Sequence, residues 1–366
     1  MKLQRIIVTV SNNLITDNRV TKLSGYLDNL GYDVKLLGRK WPGGIIPEGR
    51  PGVIKRFDLL FNKGFLFYLN LNLSLFIYLL TQKVDSIVAV DLDTLPAACI
   101  AGKLKGVPVI FDSHEYFPEV PEIQNKPFVK WFWLKLEALF VPMISCGITV
   151  SKGIVDIYRK KYGLDFILIR NVPNKPEKVF DINSISSCPV VYYQGALNAG
   201  RGLKEAIRSL NFLPGYKMII SGSGDEEQEL HDLVSDLGFE DRVTFTGCLP
   251  FERLAIEAAK AHVGLCILEN IGLNYYHSLP NRLFDYPALG LPIIATSFPD
   301  ISEIVNKYET GLLIDSYDPK DIAMSIRNAC ENFELRQKWS LKLKEAVKDL
   351  NWENECKKLD DVFDLK

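Results

Sequence analysis

One short stretch, LPNRLFDYPALGLPIIAT at 279–296, places a cation and a carboxylate near the start of a predicted helix. Arg282 and Asp285 are three residues apart, so they share one face of that helix. Ser278 is a good helix cap, and free N–H groups at Ser278 and Leu279 would attract a phosphate. Arg282 could pair with the same phosphate, whereas Asp285 only accepts hydrogen bonds and suits a ribose diol. The stretch therefore predicts a nucleoside diphosphate site; an ordinary helix-surface ion pair is the alternative.

Two glycine-rich stretches follow predicted strands. In YQGALNAGRGLKEAI, Gly195 comes directly after a strand, and Arg201 stands between two glycines that lead into a helix. In IISGSGDEEQEL, Gly222 and Ser223 repeat the arrangement. Glycine lets the backbone approach a ligand closely, and Arg201 adds a permanent positive charge. Both loops are candidates for phosphate binding, although tight turns alone also require glycine.

His114 lies directly after the predicted strand VPVIFD and is flanked by Asp112 and Glu115. In parallel sheets, functional groups collect at the carboxyl ends of the strands. An imidazole among carboxylates could hydrogen-bond a hydroxyl group or take a proton. The alternative is a loop histidine that forms a salt bridge with Glu115.

The candidate site residues must be positioned by regular secondary structure. Along the chain, β-branched runs alternate with helical patterns. The run TDNRVTKLSGYLDNLG, for example, predicts a helix capped by Thr16 or Asp17 and ended by Gly31. Such alternation indicates parallel sheets covered on both faces. A stretch rich in Pro, Asn, Lys and Ser follows, after which the alternation restarts.

We therefore predict an α/β protein with two doubly wound, Rossmann-like domains, a ligand cleft between them and a C-terminal helix. The predicted N-terminal domain is 1–172, rejoined by the tail 350–366, and the C-terminal domain is 173–349.

Composition narrows the classes of function. The 366 residues are 47% hydrophobic and carry a net charge of −2, which gives no basic field for nucleic acid. The seven cysteines are scattered and never in CxxC spacing, and the N-terminus does not read as a secretory signal. We expect a cytoplasmic protein without nucleic-acid partners.

Most of the chain resembles a known family. YQGALNAGRGLKEAI, SGSGDEEQEL, RVTFTGCLPFERL and SLPNRLFDYPALGLPIIATSFPDISEIV resemble, in this order, the nucleotide-binding domain of the retaining group 1 glycosyltransferases (family 4), which have the GT-B fold. DNRVTKLSGYLDNLGYDV, AVDLDTLPAACIAGKLKGVPVIFDSHEYFPE and ITVSKGI resemble the N-terminal domain. The order and number of these runs make the resemblance specific.

The resemblance implies roles for individual residues. It implies that Arg201 and Arg282 contact the donor diphosphate and that Asp285 contacts the nucleotide ribose. The turn at Gly247, Cys248 and Leu249 corresponds to the place where the nucleotide base rests. His114 corresponds to a histidine that the family keeps beside the reacting sugar.

The sequence departs from the family pattern at three points. His277 and Asp285 stand where the family often has two glutamates, and Ala196 replaces a common arginine. Arginines replace lysines at the two cationic positions, which keeps the charge and favours bidentate phosphate contacts.

The resemblance implies transfer of a sugar from a UDP-, GDP- or ADP-sugar to an acceptor hydroxyl, with retained anomeric configuration and no metal. The acceptor would be a sugar or a lipid-linked sugar, in bacterial polysaccharide or glycolipid assembly. Two alternatives remain: a GT-B-fold sugar-nucleotide epimerase, and a non-catalytic partner protein that binds sugar nucleotides.

Two apolar stretches bear on location. GFLFYLNLNLSLFIYLL (64–80) is short for a membrane span and contains polar residues, which predicts a buried crossover helix. KPFVKWFWLKLEALF (126–140) predicts a packed helix. The alternative for both is peripheral contact with a membrane, which would place the protein at the inner face of the cell membrane. For 126–140 an acceptor groove is a further alternative.

Overall fold

Two parallel sheets organise the chain. The computed structural model describes residues 4–15, 17–41, 51–177, 181 and 188–363. It divides into two units, Met1–Arg170 with Cys356–Lys366, and Asn171–Glu355. Each unit has its own sheet and its own buried core.

The first unit contains a seven-stranded sheet in the order β3-β2-β1-β4-β5-β6-β7, with every strand pair parallel. Its strands are β1 (Arg5–Thr9), β2 (Asp33–Arg39), β3 (Val53–Phe57), β4 (Ser86–Val90), β5 (Val109–Ser113), β6 (Cys146–Thr149) and β7 (Phe166–Leu168). Its helices are α1 (Asn18–Asn29), α2 (Gly64–Thr81), α3 (Leu95–Lys105), α4 (Pro121–Gln124), α5 (Pro127–Phe140) and α6 (Lys152–Tyr162).

The second unit contains a six-stranded parallel sheet in the order β10-β9-β8-β11-β12-β13. Its strands are β8 (Val190–Gln194), β9 (Lys217–Ser221), β10 (Val243–Gly247), β11 (Val263–Cys266), β12 (Ile293–Thr296) and β13 (Gly311–Ile314). Its helices are α7 (Leu203–Ser209), α8 (Glu227–Asp236), α9 (Phe251–Ala258), α10 (Leu273–Tyr276), α11 (Arg282–Ala288), α12 (Pro299–Tyr308), α13 (Pro319–Glu331), α14 (Phe333–Asp349) and α15 (Trp352–Glu355). Two doubly wound α/β units are what the sequence predicts.

The division between the units differs in detail from the prediction. The first unit ends at Arg170, and the chain returns to it at Cys356, later than the predicted 350. Residues before 356 stay with the second unit because the Trp352 N–H donates to the Pro173 carbonyl at 2.8 Å. A short helix, α16 (Leu359–Val362), follows, and the tail is fastened to the first unit by Tyr26, which donates to Asp360.

Helix α1 forms where its sequence predicts. The Asp17 carboxylate accepts the Val20 N–H at 3.0 Å and caps the helix, whereas Thr16 lies outside the described residues. Arg19 is buried (4% exposed) and its Nη2 donates to Asp112 Oδ1, at the end of β5, at 2.8 Å. Its Nη1 also donates to the Ile169 carbonyl at 2.7 Å. This buried ion pair therefore ties α1 to β5 and to the segment after β7.

The prediction that residues 64–80 form a buried crossover helix is wrong for one face of α2. One row of side chains packs in the core: Phe67, Leu71, Leu75 and Leu79. The opposite row, Leu69, Leu73 and Ile77, is more than half exposed. In the described part of the chain α2 is the one helix long and apolar enough to span a membrane by length and composition, a criterion that soluble core helices also pass.

We predict that Arg19→Met lowers the free energy of unfolding by up to about 3–5 kcal/mol, because it removes one of the two cations that face the buried Asp112 carboxylate and leaves only His114. Urea denaturation measures the change. Arg159→Met is the control, since Arg159 pairs with Asp156 and Asp165 at the surface, where solvent screens the charges and the pairs contribute little to stability. Equal effects from the two substitutions would show that the buried pair does not stabilise the fold.

Candidate functional site

Two glycine loops pass very close to each other at the carboxyl ends of β8 and β9. A Cβ atom on Gly222 would lie 1.8 Å from the Gly195 carbonyl oxygen, and Gly222 has a φ of +149°. The Gly195 N–H donates to the Ser221 carbonyl at 2.9 Å, and the Gly222 N–H donates to the Gly247 carbonyl at 2.9 Å. Only glycine fits at Gly222, so the loops present bare backbone to the neighbouring space.

That space is a cavity of about 560 Å³ within the second unit, a volume typical of small-molecule sites. It is lined by Gln194, Gly195, Ala196, Arg201, Ser221, Gly222, Ser223, Cys248, Leu249, Leu254, Pro280, Asn281, Arg282 and Asp285. Most of the predicted ligand-binding residues of this half therefore meet in one place. Gly247, Ser278 and Leu279 are not part of the lining.

Arg282, the first residue of α11, is 5% exposed and points toward the Gly195 loop. Its Nη1 donates to the Tyr193 hydroxyl and its Nη2 to the Ile267 carbonyl, both at a long 3.4 Å. Its Cζ lies 4.8 Å from the centre of the Tyr193 ring. Among the described residues its Nε meets no hydrogen-bond acceptor, although buried N–H groups are nearly always paired. The guanidinium is thus held in place but only partly satisfied.

Arg201 is the second cation in the cavity wall. Its Cζ lies 4.7 Å from the centre of the Tyr275 ring, which fixes the side chain by a cation–π contact. Its Nε is also buried, and within the described chain it has no acceptor. Two arginines with unsatisfied N–H groups beside one cavity form a site for an anion with several oxygens, such as a diphosphate.

Asp285 lies one turn into α11, and a glutamine aligns it. Gln194 Nε2 donates to Asp285 Oδ2 at 2.9 Å, while the Gln194 Oε1 atom is buried and has no donor in the described structure. Tyr286 braces the same region, since its hydroxyl accepts the Gln194 N–H at 3.0 Å and donates to the Leu265 carbonyl at 3.2 Å. A carboxylate and an amide oxygen side by side are suited to bind a diol.

The predicted helix start at Ser278 is wrong. Helix α11 begins at Arg282, with Asn281 as its N-cap residue. The Ser278 hydroxyl instead donates to the Tyr275 carbonyl at 3.0 Å, at the end of α10. Leu279 is 9% exposed and packs in the core. The chain makes one further short helix before Pro280, which moves both residues away from the cavity wall.

The turn after β10 contributes the cavity wall predicted for a nucleotide base. The Ser223 hydroxyl and the exposed Cys248 thiol lie 2.9 Å apart, so the turn and the β9 loop are joined across the cavity edge. Gly247 has a φ of +67° and does not line the cavity, and its carbonyl accepts the Gly222 N–H.

His114, the third residue predicted to be catalytic, lies in the first unit, directly after β5. Its Nε2 is 3.1 Å from Asp112 Oδ2, and its Nδ1 is 3.9 Å from Asp91 Oδ2. The His114 N–H also donates to Asp91 Oδ1 at 3.0 Å. Asp91 has a φ of +57°, a strained conformation for a residue other than glycine, and this conformation directs its carboxylate to His114.

These carboxylates decide the charge of His114. Burial lowers the pKa of the imidazole, but Asp112 and Asp91 outweigh burial and raise the pKa to about 9. Burial raises the pKa of Asp112, and the Arg19 and His114 charges more than reverse this and lower it below its usual range. Burial raises the pKa of Asp91 to about 8. At neutral pH His114 is therefore an imidazolium that donates hydrogen bonds and does not readily take a proton.

His277 and Ala196, the two residues that depart from the family pattern, each form a hydrogen-bond contact within the second unit. His277 Nδ1 lies 2.9 Å from Asp300 Oδ2, and His277 is not part of the cavity lining. Ala196 lines the cavity, and its carbonyl accepts the Tyr193 hydroxyl at 2.7 Å.

Sequence reasoning missed Gln194, Tyr193 and Asn281. Gln194 gives a signal, because it is a polar residue at the end of an otherwise apolar strand, immediately before Gly195. Tyr193 gives none, since an aromatic residue in a buried strand is ordinarily part of the core.

Two family models match consecutive parts of the chain. Residues 17–174 match "Glycosyltransferase Family 4", and residues 174–345 match "Glycosyl transferases group 1". The second match contains every residue of the cavity wall.

The chain belongs to the group 1 glycosyltransferases. Curated relatives in this family include the lipopolysaccharide core biosynthesis glycosyltransferase LpsE of Rhizobium meliloti, 26% identical over 42% of this chain and 43% of the relative. The D-inositol 3-phosphate glycosyltransferase of Mycobacteroides abscessus is 31% identical over 37% of this chain and 31% of the relative. The matching segments span less than half of these relatives.

Solved structures resemble almost the whole length of this group 1 glycosyltransferase in fold. Sucrose-phosphate synthase from Thermosynechococcus elongatus has a TM-score of 0.79 at 18% identity and covers 99% of this chain and 98% of its own. Anabaena Alr3699/HepE, solved in complex with UDP and glucose, has a TM-score of 0.75 at 16% identity, with coverages of 99% and 100%. The predicted two-domain α/β GT-B fold is confirmed.

For this group 1 glycosyltransferase we predict that protonated His114 stabilises the folded chain. A pKa raised from 6.5 to about 9 contributes stability that is complete below pH 6.5 and is lost as the pH rises through 9. The free energy of unfolding of the wild type should therefore fall, relative to that of His114→Gln, between pH 6.5 and 9. Urea denaturation at several pH values measures the difference.

A direct check is the NMR titration of the His114 ring protons in the wild type and in Asp112→Asn. The pKa should lie well above 6.5 in the wild type and drop when Asp112 loses its charge. A wild-type pKa at or below 6.5 would contradict the charged state.

Proposed function

We propose that the protein transfers a sugar from a nucleoside diphosphate sugar to an acceptor hydroxyl, with retention of the anomeric configuration. The observation that carries the proposal is the pair of arginines, Arg201 and Arg282, whose buried Nε atoms have no acceptor within the described chain and border one cavity. A diphosphate supplies the oxygens that both guanidiniums lack.

The arginines would also assist the reaction. When the bond between sugar and diphosphate breaks, negative charge develops on the leaving phosphate, and fixed cations lower the energy of that transition state. Arg201 and Arg282 are held against tyrosine rings, so little reorganisation is needed when the charge appears. We propose that these side chains neutralise the diphosphate without a metal ion.

The nucleoside would extend from the diphosphate toward Asp285 and Gln194. The Asp285 carboxylate and the Gln194 Oε1 atom would accept the two hydroxyls of a ribose. The base would rest against the turn at Cys248 and Leu249, which lines the cavity and which the family resemblance assigns to the base. UDP-, GDP- and ADP-sugars all carry this ribose and diphosphate.

The acceptor proposed is a sugar or a lipid-linked sugar, and the setting is bacterial polysaccharide or glycolipid assembly in the cytoplasm. Support comes from the names of relatives, which include lipopolysaccharide core glycosyltransferases. In this proposal the charged imidazole of His114 donates a hydrogen bond to the transferred sugar during the reaction.

The proposal is tested by incubating the protein with each sugar nucleotide, with and without candidate acceptors that carry free hydroxyl groups. NMR then identifies the products. A new glycosidic bond with the donor's anomeric configuration is the expected result. An epimerised nucleotide sugar formed without acceptor would support a GT-B-fold epimerase. Binding of the donor without any reaction, whichever acceptor is added, would support a non-catalytic partner protein.

We predict that Arg282→Met weakens binding of the preferred nucleoside diphosphate by about 1.5–3 kcal/mol, because a charge-assisted contact to phosphate is lost. Binding of the corresponding nucleoside, which has no phosphate, should change little. Calorimetry on both ligands measures the two effects. Arg208→Met is the control, since Arg208 pairs with Glu205 outside the cavity. An equal loss for nucleoside and diphosphate would remove the phosphate role.

We predict that Asp285→Asn weakens binding of the ribonucleotide about tenfold or more, because a charged acceptor of ribose hydroxyls becomes neutral. The 2′,3′-dideoxy analogue lacks those hydroxyls and should bind both proteins alike. The asparagine can still accept the Gln194 amide, so the local structure is retained. If both analogues lose affinity equally, Asp285 has a structural role and does not bind the ribose.

A further inference from the structure

The outward face of α2 is apolar along its whole length. Leu69, Leu73 and Ile77 follow one another at four-residue spacing and are 53%, 54% and 55% exposed. Phe65 and Leu66 extend this row to the start of the helix, and both are also exposed. A row of exposed large apolar side chains on one helix is unusual for a surface that faces only water.

The two helices beside α2 also carry exposed apolar side chains. Ile100 and Leu104 of α3, and Phe128 and Trp131 of α5, are exposed as well. One ring contact links α2 to α5, and a second lies within α5. Phe65 of α2 meets Phe132 of α5 edge-on with centroids 5.6 Å apart, and Phe128 stacks on Trp131 at 5.8 Å. We call the exposed surface of these three helices the α2–α3–α5 face.

Helix α2 is firmly attached to the unit beneath it. Its inner row packs in the same core as α3, α5 and the sheet. Asn72 fastens it further, since its Nδ2 donates to the Asp93 carbonyl at 2.8 Å and its Oδ1 accepts the Ala97 N–H at 3.1 Å. To cross a membrane, α2 would have to leave this core and break these bonds. Contact in the plane of the membrane surface requires neither.

The exposed charges within and next to α2, α3 and α5 are mostly positive, and the exposed acidic residues nearest to them in sequence are Asp58 and Glu122. The segments 59–81, 95–105 and 126–143 contain a single acidic residue, Glu137, which is fully buried and accepts from Tyr162 at 2.7 Å. The same segments contain four exposed lysines: Lys63, Lys103, Lys126 and Lys135. The whole chain carries a net charge of −2, so this local excess of positive charge is not a property of the surface in general.

We propose that the α2–α3–α5 face docks on an anionic lipid bilayer, with its apolar side chains in the headgroup region and without crossing it. Lysines around apolar side chains complement anionic headgroups, and their stems can lie along the apolar surface. A second copy of the chain fits less well, because a symmetric pairing would bring the lysines of both copies together. The inference goes beyond glycosyl transfer and does not depend on it.

The experiment is co-sedimentation of the full chain with vesicles of phosphatidylcholine, with and without phosphatidylglycerol. The wild type should bind the anionic vesicles, and added salt should weaken binding. Leu69→Gln, Leu73→Gln and Ile77→Gln combined should lower the partition coefficient at least about tenfold, because three apolar anchors are lost. Neutralising the four lysines as Lys→Gln should remove the preference for anionic vesicles.

The control carries three matched changes in the second unit, Met324→Gln, Phe333→Gln and Leu341→Gln. These side chains are 59%, 61% and 67% exposed, so they are at least as accessible as the α2 row. The control should bind vesicles like the wild type, and circular dichroism should show both triple variants folded.

Several results would overturn the proposal. One is a wild-type protein that does not bind anionic vesicles. Another is a control variant whose vesicle binding falls as much as that of the α2 variant. Resistance of the bound protein to extraction by alkaline carbonate would indicate a membrane span. A dimer in solution that the α2 variant abolishes would identify a second copy as the occupant of the face.

Discussion

The candidate site depends on the contact between two backbones. Gly222 approaches the Gly195 carbonyl so closely that a single Cβ atom would lie 1.8 Å from it. This approach fixes the ends of β8 and β9 relative to each other and leaves a wall of bare backbone. The same loop faces Arg282, since a Cβ on Gly195 would lie 3.3 Å from Arg282 Nη1. The position of the cation therefore follows from the two glycines, because a bulkier loop would fill the space into which the guanidinium points.

The arginines connect ligand binding with stability. A buried guanidinium that lacks acceptors is costly, and here tyrosine rings and one long carbonyl contact offset only part of that cost. An anion that enters the cavity would complete the hydrogen bonds of Arg282 and Arg201. A ligand that binds only the folded state stabilises it, so the incomplete site ties the stability of the second unit to occupancy. His114 differs, since the ionised Asp112 carboxylate already lies 3.1 Å from its Nε2 atom.

The sequence was informative where one short-range pattern decides the structure. Alternating strands and helices predict both parallel sheets. The residues predicted to bind one ligand line one cavity in the structure: Gly195, Arg201, Gly222, Arg282 and Asp285. The helix start at Ser278 was mispredicted because a short helix, α10, intervenes and takes up the serine hydroxyl. The role of Gln194 depends on a contact across 91 residues of sequence, which no local pattern reveals. The exposed row of α2 was missed because composition does not tell which side of an apolar helix meets the core.

The return of the chain to the first unit at Cys356 has a consequence for biosynthesis. Lys358 donates to the Leu168 carbonyl, and Asp360 accepts from Tyr26, so the last helix belongs to a unit that is otherwise complete by Arg170. On the ribosome, the whole second unit is synthesised between these two parts. The first unit therefore begins before the second and is completed after it, so its sheet must persist without α16 until the second unit has been translated.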